Sequence, residues 1–260
     1  MSTRARRFGS VAAAYERYRP GYPDALVERV LAYAGRRVRT ALEIGAGTGK
    51  ATRAFAAHGV RVTATEPDAA MLAELRRHVP PSVTPVRASL ETLATDERFD
   101  LVHAAAALHW TDPAQRWPRV AALLVPGGAF ASFGGPVGLA DPDLEAAVRA
   151  ARGDVLPSDE VPSPDGTPSG AALQWPGTEL ARSPLFTDVR QERLPRRLTW
   201  PADDYVGLLG TVSAYLGLPD DARTALLARV RTALPDQVEV VVDLTLHLAR
   251  LAPPTLTRRL

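Results

Sequence analysis

"TALEIGAGTGKATRAF", residues 40–55, decides how the rest of the chain is read. A mostly apolar run ends in three alternating glycines, Gly45, Gly47 and Gly49, and a helix-like run begins at Lys50. Glycine lets a backbone turn sharply and lie close against a ligand, so the stretch reads as strand, ligand-binding turn and helix. Two phosphate-binding loops have this outline, and neither fits. A P-loop with Gly49-Lys50 as its Gly-Lys pair would place its first glycine at Ile44 and its magnesium-binding hydroxyl at Ala51. A dinucleotide turn, G-x-G-x-x-G, would need glycine where Lys50 stands, at the point of closest helix packing.

Acidic residues on either side of the turn point elsewhere. Glu43 stands two positions before Gly45, where a carboxylate repels a pyrophosphate and attracts a cation. Glu66 closes the run "RVTATE" (61–66), where an acidic side chain can accept both hydroxyls of a ribose. A ligand with a ribose, positive charge and no phosphate satisfies both residues. S-adenosylmethionine, with its sulfonium and ammonium groups, is such a ligand.

Outward from the turn, strand-like and helix-like runs alternate. "GYPDALVERVLAYAG" (21–35) has helical apolar spacing and ends in Gly35, and "VRTALEI" (38–44) is the first strand. Residues 50–59, 68–79 and 112–124 read as helices, with Pro118 expected to bend the last. Residues 61–66, 82–89, 99–108 and 129–134 read as strands two to five, the fifth entered through a "PGG" turn. This alternation predicts an α/β fold with a parallel sheet covered by helices on both faces. Residues 153–178 are rich in Pro, Gly, Ser and Asp and read as a long surface loop. Beyond it, 186–194 reads as a strand, 201–217 and 220–234 as helices, and 237–251 as one long apolar strand.

"ALEIGAGTGKATRAFAAHGVRVTATEPDAAML" resembles the first two motifs of class I S-adenosylmethionine-dependent methyltransferases. "FDLVHAAAALHW" and "LLVPGGAFAS" resemble that family's fourth-strand motif and its turn into strand five. "FGSVAAAYERYRPGYP" and "YVGLLGTVSAYLGL" are similar to segments of its type 11 subgroup, the small-molecule enzymes related to trans-aconitate methyltransferase. The resemblance implies a Rossmann-like, seven-stranded, mostly parallel sheet with a helical lid, in one domain over residues 1–260. Its core would span about residues 36–135 with 185–195 and 237–250, and its lid residues 1–34, 136–180 and 196–235.

The same resemblance implies roles residue by residue. Gly45, Ala46 and Gly47 pass under the cofactor's methionine part, with Glu43 near its ammonium. Glu66 takes the ribose hydroxyls, and Pro67 and Met71 border the adenine. Ser89 falls where many relatives carry an aspartate that accepts the adenine amino group. Leu90 covers the adenine face and offers its backbone N–H, and Ala105 completes the set. Tyr15 and Arg19 close over the methionine end, with Arg19 pairing its carboxylate.

Methyl transfer from a sulfonium needs mainly alignment and exclusion of water. The carboxyl end of strand four, "ALHW", is where an acceptor should lie. His109 is the candidate general base there, Trp110 a candidate aromatic wall, and Tyr205 a further substrate contact. His58, His78, His103 and His247 show no metal-ligand spacing, so no metal is expected. The Asn/Asp-Pro-Pro-aromatic signature of nucleic-acid amino methylation does not follow strand four, and the favoured acceptor is a small molecule, in bacterial secondary metabolism. Two other readings stay open: a cofactor-binding protein that catalyses a cyclisation or rearrangement, and a non-catalytic binding protein.

Composition sets the outer bounds. With 46% hydrophobic and 23% charged residues the 260-residue chain can bury a sizeable core. A net charge of +2 gives no electrostatic case for nucleic acid or membrane as partner. The absence of cysteine excludes disulfides, thiolate metal sites and a thiol nucleophile. Lys50 is the single lysine, Ile44 the single isoleucine, and asparagine is missing, so the abundance of Arg and Ala reads as GC-rich codon usage. No apolar core follows the basic N-terminus, and "LVHAAAAL" is too short to span a bilayer, so a cytoplasmic monomer or homodimer is expected.

Overall fold

The computed structural model describes residues 5–158, 162–168 and 170–253. Residues 159–161 and 169 of the Pro/Gly/Ser-rich stretch, and residues 1–4 and 254–260 at the ends, lie outside the described residues. A 3-10 turn, Ala5–Val11, leads into α1 (Ala12–Tyr18) and α2 (Asp24–Ala34). In α2, Leu26, Val27 and Val30 are buried, and Gly35 ends the helix in the left-handed region.

The central run then alternates as its periodicity predicts: β1 (Thr40–Ile44), α3 (Lys50–Ala57), β2 (Arg61–Thr65), α4 (Ala69–His78), β3 (Val83–Val86), β4 (Phe99–Ala105), α5 (Pro113–Leu123) and β5 (Leu124–Gly134). Asp68 and Asp112 start α4 and α5 by accepting backbone N–H groups of the first turn. β4 stops at Ala105 rather than Leu108, because Ala106 takes a left-handed φ of 52° and turns the chain. β5 begins before the "PGG" segment and runs through it, with a register shift against β4 between Phe99 and Leu101. α5 runs through Pro118.

The C-terminal half adds β6 (Val137–Leu139), α6 (Pro142–Arg152), α7 (Gly177–Arg182), β7 (Phe186–Leu194), β8 (Arg197–Pro201), α8 (Ala202–Leu209), α9 (Ser213–Leu216), α10 (Asp220–Thr232), β9 (Gln237–Val242) and β10 (Leu244–Leu251). Seven strands form one sheet in the order β3-β2-β1-β4-β5-β10-β7. β1 to β5 pair in parallel and β10 runs antiparallel between β5 and β7, so the sheet is mostly parallel as expected. Among the described residues no helix is long and apolar enough to cross a membrane.

The single long strand expected over 237–251 is two strands in two sheets. β9 pairs with β6 and β8 in a separate antiparallel sheet of three strands, while β10 enters the large one. The break falls at Asp243. The first chain to cross, from β5 to β6, passes beside it through Gly135, where a Cβ would lie 1.8 Å from the Asp243 carbonyl oxygen. Only glycine lets these two backbones approach so closely. The expected helix over 201–217 is likewise α8 and α9, separated at Gly210–Val212.

Arg116 is among the largest side chains buried below the surface, at 1% exposure. Its Nε donates to Thr111 Oγ1 at 2.7 Å, its Nη2 to the Thr111 carbonyl at 3.1 Å, and its Nη1 to Glu179 Oε2 at 2.8 Å. Trp117 Nε1 donates to the same carboxylate oxygen at 2.8 Å, so Glu179 fastens α7 to α5. Removing one partner of a buried ion pair strands the other charge. Glu179→Ala should therefore destabilise the protein by about 2–4 kcal/mol in urea unfolding.

Candidate functional site

The site forms where β1, β2 and β4 end, at the carboxyl edge of the sheet. Gly45, Gly47 and Gly49 all have positive φ (64°, 59° and 86°), which explains glycine at every second position of the turn. A Cβ on Gly45 would lie 2.7 Å from Ala107 Cβ, so the turn after β1 packs directly on the turn after β4.

Glu43 and Glu66 flank this turn in different states. Glu43 is fully buried on β1. Thr52 Oγ1 on α3 donates to its Oε2 at 2.5 Å, while its Oε1 is buried without a hydrogen-bond partner. Burial pushes its carboxyl from the ordinary 4.5 up to about 8, with the Thr52 hydrogen bond opposing and the Glu66 charge adding to the rise. Glu66 Oε2 accepts the Gly47 N–H at 2.9 Å and its Oε1 accepts the Asp68 N–H at 2.8 Å. Burial raises its pKa, and those two backbone donors hold it back. Glu66 thus holds the glycine turn as well as facing the space beside it.

Two adjoining cavities lie over the turn and share Tyr15, Gly45, Gly47, Ala105 and Ala106. One contains Glu43, Ala46, Arg19 and Tyr22. The other contains Glu66, Pro67, Met71, Ser89 and Leu90. The residues expected from the sequence to hold the cofactor are therefore brought together, those expected at its methionine part in one cavity and those expected at its adenosine part in the other, named below the methionine half and the adenosine half. The orphaned Glu43 Oε1 and the side-chain-free turn fit the ammonium and backbone of S-adenosylmethionine, and the Glu66 carboxylate with its apolar neighbours fits the nucleoside.

The N-terminal segment covers this site through contacts that sequence reading missed. Lys50 Nζ donates to the Glu16 carbonyl at 2.6 Å and lies 3.6 Å from Glu16 Oε1, and Arg53 pairs with the same oxygen at 2.7 Å. These bonds fasten α1 to the helix that starts at the glycine turn. Arg19 Nε and Nη2 donate to Thr211 Oγ1 and to its carbonyl at 2.8 and 3.1 Å, which ties the end of α1 to the α8–α9 connection. Tyr22 lines the methionine half with its ring edge-on to Phe133 at 5.0 Å. Burial, then the neighbouring Tyr15 and Glu43, drive its phenol pKa far up, so Tyr22 stays a neutral donor. Val137, Val242 and Leu244, at the crossings between the two sheets, close the same cavity.

The substrate residues fare differently. Trp110 lines the adenosine half, with Phe8 edge-on to it at 6.2 Å. His109 lines neither cavity: its ring lies tilted against Trp110 at 4.5 Å, and burial, followed by Arg116, lowers its pKa to about 4. Tyr205 is buried on α8 and also lines neither cavity. The structure thus places neither His109, expected as the base, nor Tyr205, expected as a substrate contact, in the lining of these two cavities: β4 ends at Ala105 before His109, and Tyr205 is packed into the core on α8.

Comparisons with known proteins bear on the domain and the fold that carry this site. Residues 41–128 match the family described as "Methyltransferase domain". An uncharacterised methyltransferase of Mycobacterium tuberculosis is 43% identical over 121 residues, covering 46% of this chain and 49% of that one. The trans-aconitate 2-methyltransferase of Variovorax paradoxus is 36% identical over 97 residues, 35% of this chain and 36% of that one. A solved structure from Anaeromyxobacter dehalogenans, provisionally named a type II methyltransferase, superposes over 91% of this chain and 99% of its own with a TM-score of 0.67 and 27% identity. The chain spans about half the length or less of the curated relatives it matches. The matched domain and the fold are thus those of class I, S-adenosylmethionine-dependent methyltransferases.

Glu43 gives the site a pH signature. Its folded pKa lies above the unfolded one, so its contribution to stability is complete below 4.5 and is lost as pH rises through about 8. The cofactor-free protein should melt at a lower temperature at about pH 8.5 than at about pH 6, and Glu43→Gln should flatten that slope in thermal scans.

Proposed function

We propose that the chain transfers a methyl group from S-adenosylmethionine to an oxygen, nitrogen or carbon of a small molecule. The observation that carries this reading is the pairing of Glu43 and Glu66 across one glycine turn, each opening on its own half of a continuous site. When bound, the cofactor supplies an electrophilic methyl group on a sulfonium, activated before the acceptor arrives.

The chain's own residues supply position and dryness. Glu43 Oε1 faces the ammonium, Glu66 holds the ribose while anchoring Gly47, and Arg19 and Tyr15 cover the methionine end. The crossings at Gly135 and Asp243 bring Val137, Val242 and Leu244 against the methionine half, which suits a small acceptor with an apolar face. Tyr22 offers that acceptor a neutral hydroxyl. Residues 1–34, 136–180 and 196–235 serve as the lid in this reading, with the whole chain as one domain. With His109 outside both cavities, alignment and exclusion of water replace a general base, which a carboxylate or neutral amine does not need. A cytoplasmic location, where the cofactor is made, and a role in bacterial secondary metabolism belong to the same proposal.

Calorimetric titration should show binding of S-adenosylmethionine and its demethylated product but not of NAD, and Glu66→Ala should weaken it by about 1–3 kcal/mol. Saturable NAD binding without cofactor binding would overturn the reading. Incubation with methyl-labelled cofactor and candidate metabolites should give a product heavier by one methyl in mass spectrometry; an isomeric product would mean a rearrangement instead. Once an acceptor is found, His109→Gln should retain turnover within about threefold, whereas loss of a true base costs roughly 10²–10⁴-fold.

A further inference from the structure

α8 and α9 contribute no lining residue to either cavity, yet the break between them is fastened to the methionine half. Thr211, in that break, is fully buried. Its Oγ1 accepts Arg19 Nε at 2.8 Å and donates to the Leu208 carbonyl at 2.7 Å, while its own carbonyl accepts Arg19 Nη2 at 3.1 Å. A guanidinium is a rigid planar fork, so holding it at Nε and Nη2 from one residue fixes its plane. Both acceptors are uncharged, which leaves the whole positive charge for the cavity that Arg19 lines. A second contact runs beside the first. A Cβ on Gly207 would lie 2.7 Å from the Tyr18 ring, so α8 meets α1 with no room for a side chain.

The layer behind Thr211 reaches the far wall of the same cavity. The Ala202 N–H at the start of α8 donates to the Asp236 carbonyl at 2.9 Å, just before β9. β9 ends at Val242, which lines the methionine half opposite the glycine turn's residues. We propose that Thr211 is a positioning residue that aims Arg19 at the carboxylate of the cofactor's methionine part, and that through this contact a bound cofactor firms the α8–α9 break. This rests on the cofactor reading above and extends it to a coupling between the cofactor and the layer that walls the acceptor side. Such coupling is reciprocal: whatever Thr211 adds to cofactor binding through Arg19, the bound carboxylate returns to the α8–α9 break.

The test compares two ligands on the full chain: S-adenosylhomocysteine, and 5′-methylthioadenosine, which keeps the nucleoside and the thioether but has no ammonium or carboxylate. The Thr211 and Val212 N–H groups are bonded to the Leu208 and Leu209 carbonyls, so their hydrogen exchange reports opening of the break. S-adenosylhomocysteine should slow exchange there by roughly fivefold or more, and methylthioadenosine should leave it as in the free protein. In calorimetric titration Thr211→Val, which keeps the side-chain volume but loses the hydroxyl, should weaken S-adenosylhomocysteine by roughly tenfold and methylthioadenosine by less than about twofold. Thr211→Ser, which restores the hydroxyl, should recover the affinity. Equal weakening of both ligands, unchanged affinity for S-adenosylhomocysteine, or equal protection by both ligands would make Thr211 a packing residue only and overturn the proposal. If the valine variant does not fold, the exchange comparison on the wild-type protein decides alone. Failure of the wild-type protein to bind S-adenosylhomocysteine at all would instead overturn the cofactor reading, and this inference with it.

Discussion

The Glu66 carboxylate spans 19 residues to accept the Gly47 N–H at 2.9 Å, and most of the site's geometry follows from that bond. Three successive positive-φ glycines would leave a turn free to wander. Glu66 fixes its middle, with its other oxygen on the Asp68 N–H, so the end of β2 and the turn after β1 move as one piece. Asp68 in turn caps α4, whose Met71 borders the adenosine half. One acidic side chain therefore fixes the turn that both cavities share and also lines the adenosine half. It cannot be replaced by an amide without giving up one of these bonds, because an amide nitrogen accepts nothing.

Burial divides the labour between the two carboxyls. Glu43 has a single hydroxyl donor and an unpartnered oxygen, and burial makes its neutral form stable near neutral pH. Glu66 has two backbone donors that oppose the same rise. An empty site with two ionised carboxylates on one turn would repel itself, and the neutral Glu43 avoids that cost. In the proposed reading, an arriving ammonium would favour the ionised form of Glu43.

Residues 21–134 were largely legible because their signals are local. Apolar spacing marked α2, the Asp68 and Asp112 caps started α4 and α5, and glycine and proline punctuated the strands. The cofactor half was legible for the same reason, since Glu43, the glycines and Glu66 lie within 24 consecutive residues. The second sheet was not. "QVEVVVDLTLHLARL" carries no glycine or proline at its break, and the cause of the break is Gly135, more than a hundred residues away in sequence. The placement of His109 was not legible either: periodicity tells which residues sit near a strand end, but not that the chain turns left-handed at Ala106. Lys50 and Tyr22 gain their places from Glu16 and Phe133, partners that no local pattern names.

Lys50 stands where a dinucleotide turn would carry its last glycine, and it is the chain's single lysine. Every side-chain amine of this protein is thus concentrated at one point, beside the cofactor turn and under α1, with its ammonium engaged by Glu16. Acylation of a lysine side chain in the folded protein therefore reads out one site. Acylation of that nitrogen requires its bonds to Glu16 on α1 to break. The rate of that reaction reports how often the N-terminal clasp opens, with no substitution introduced.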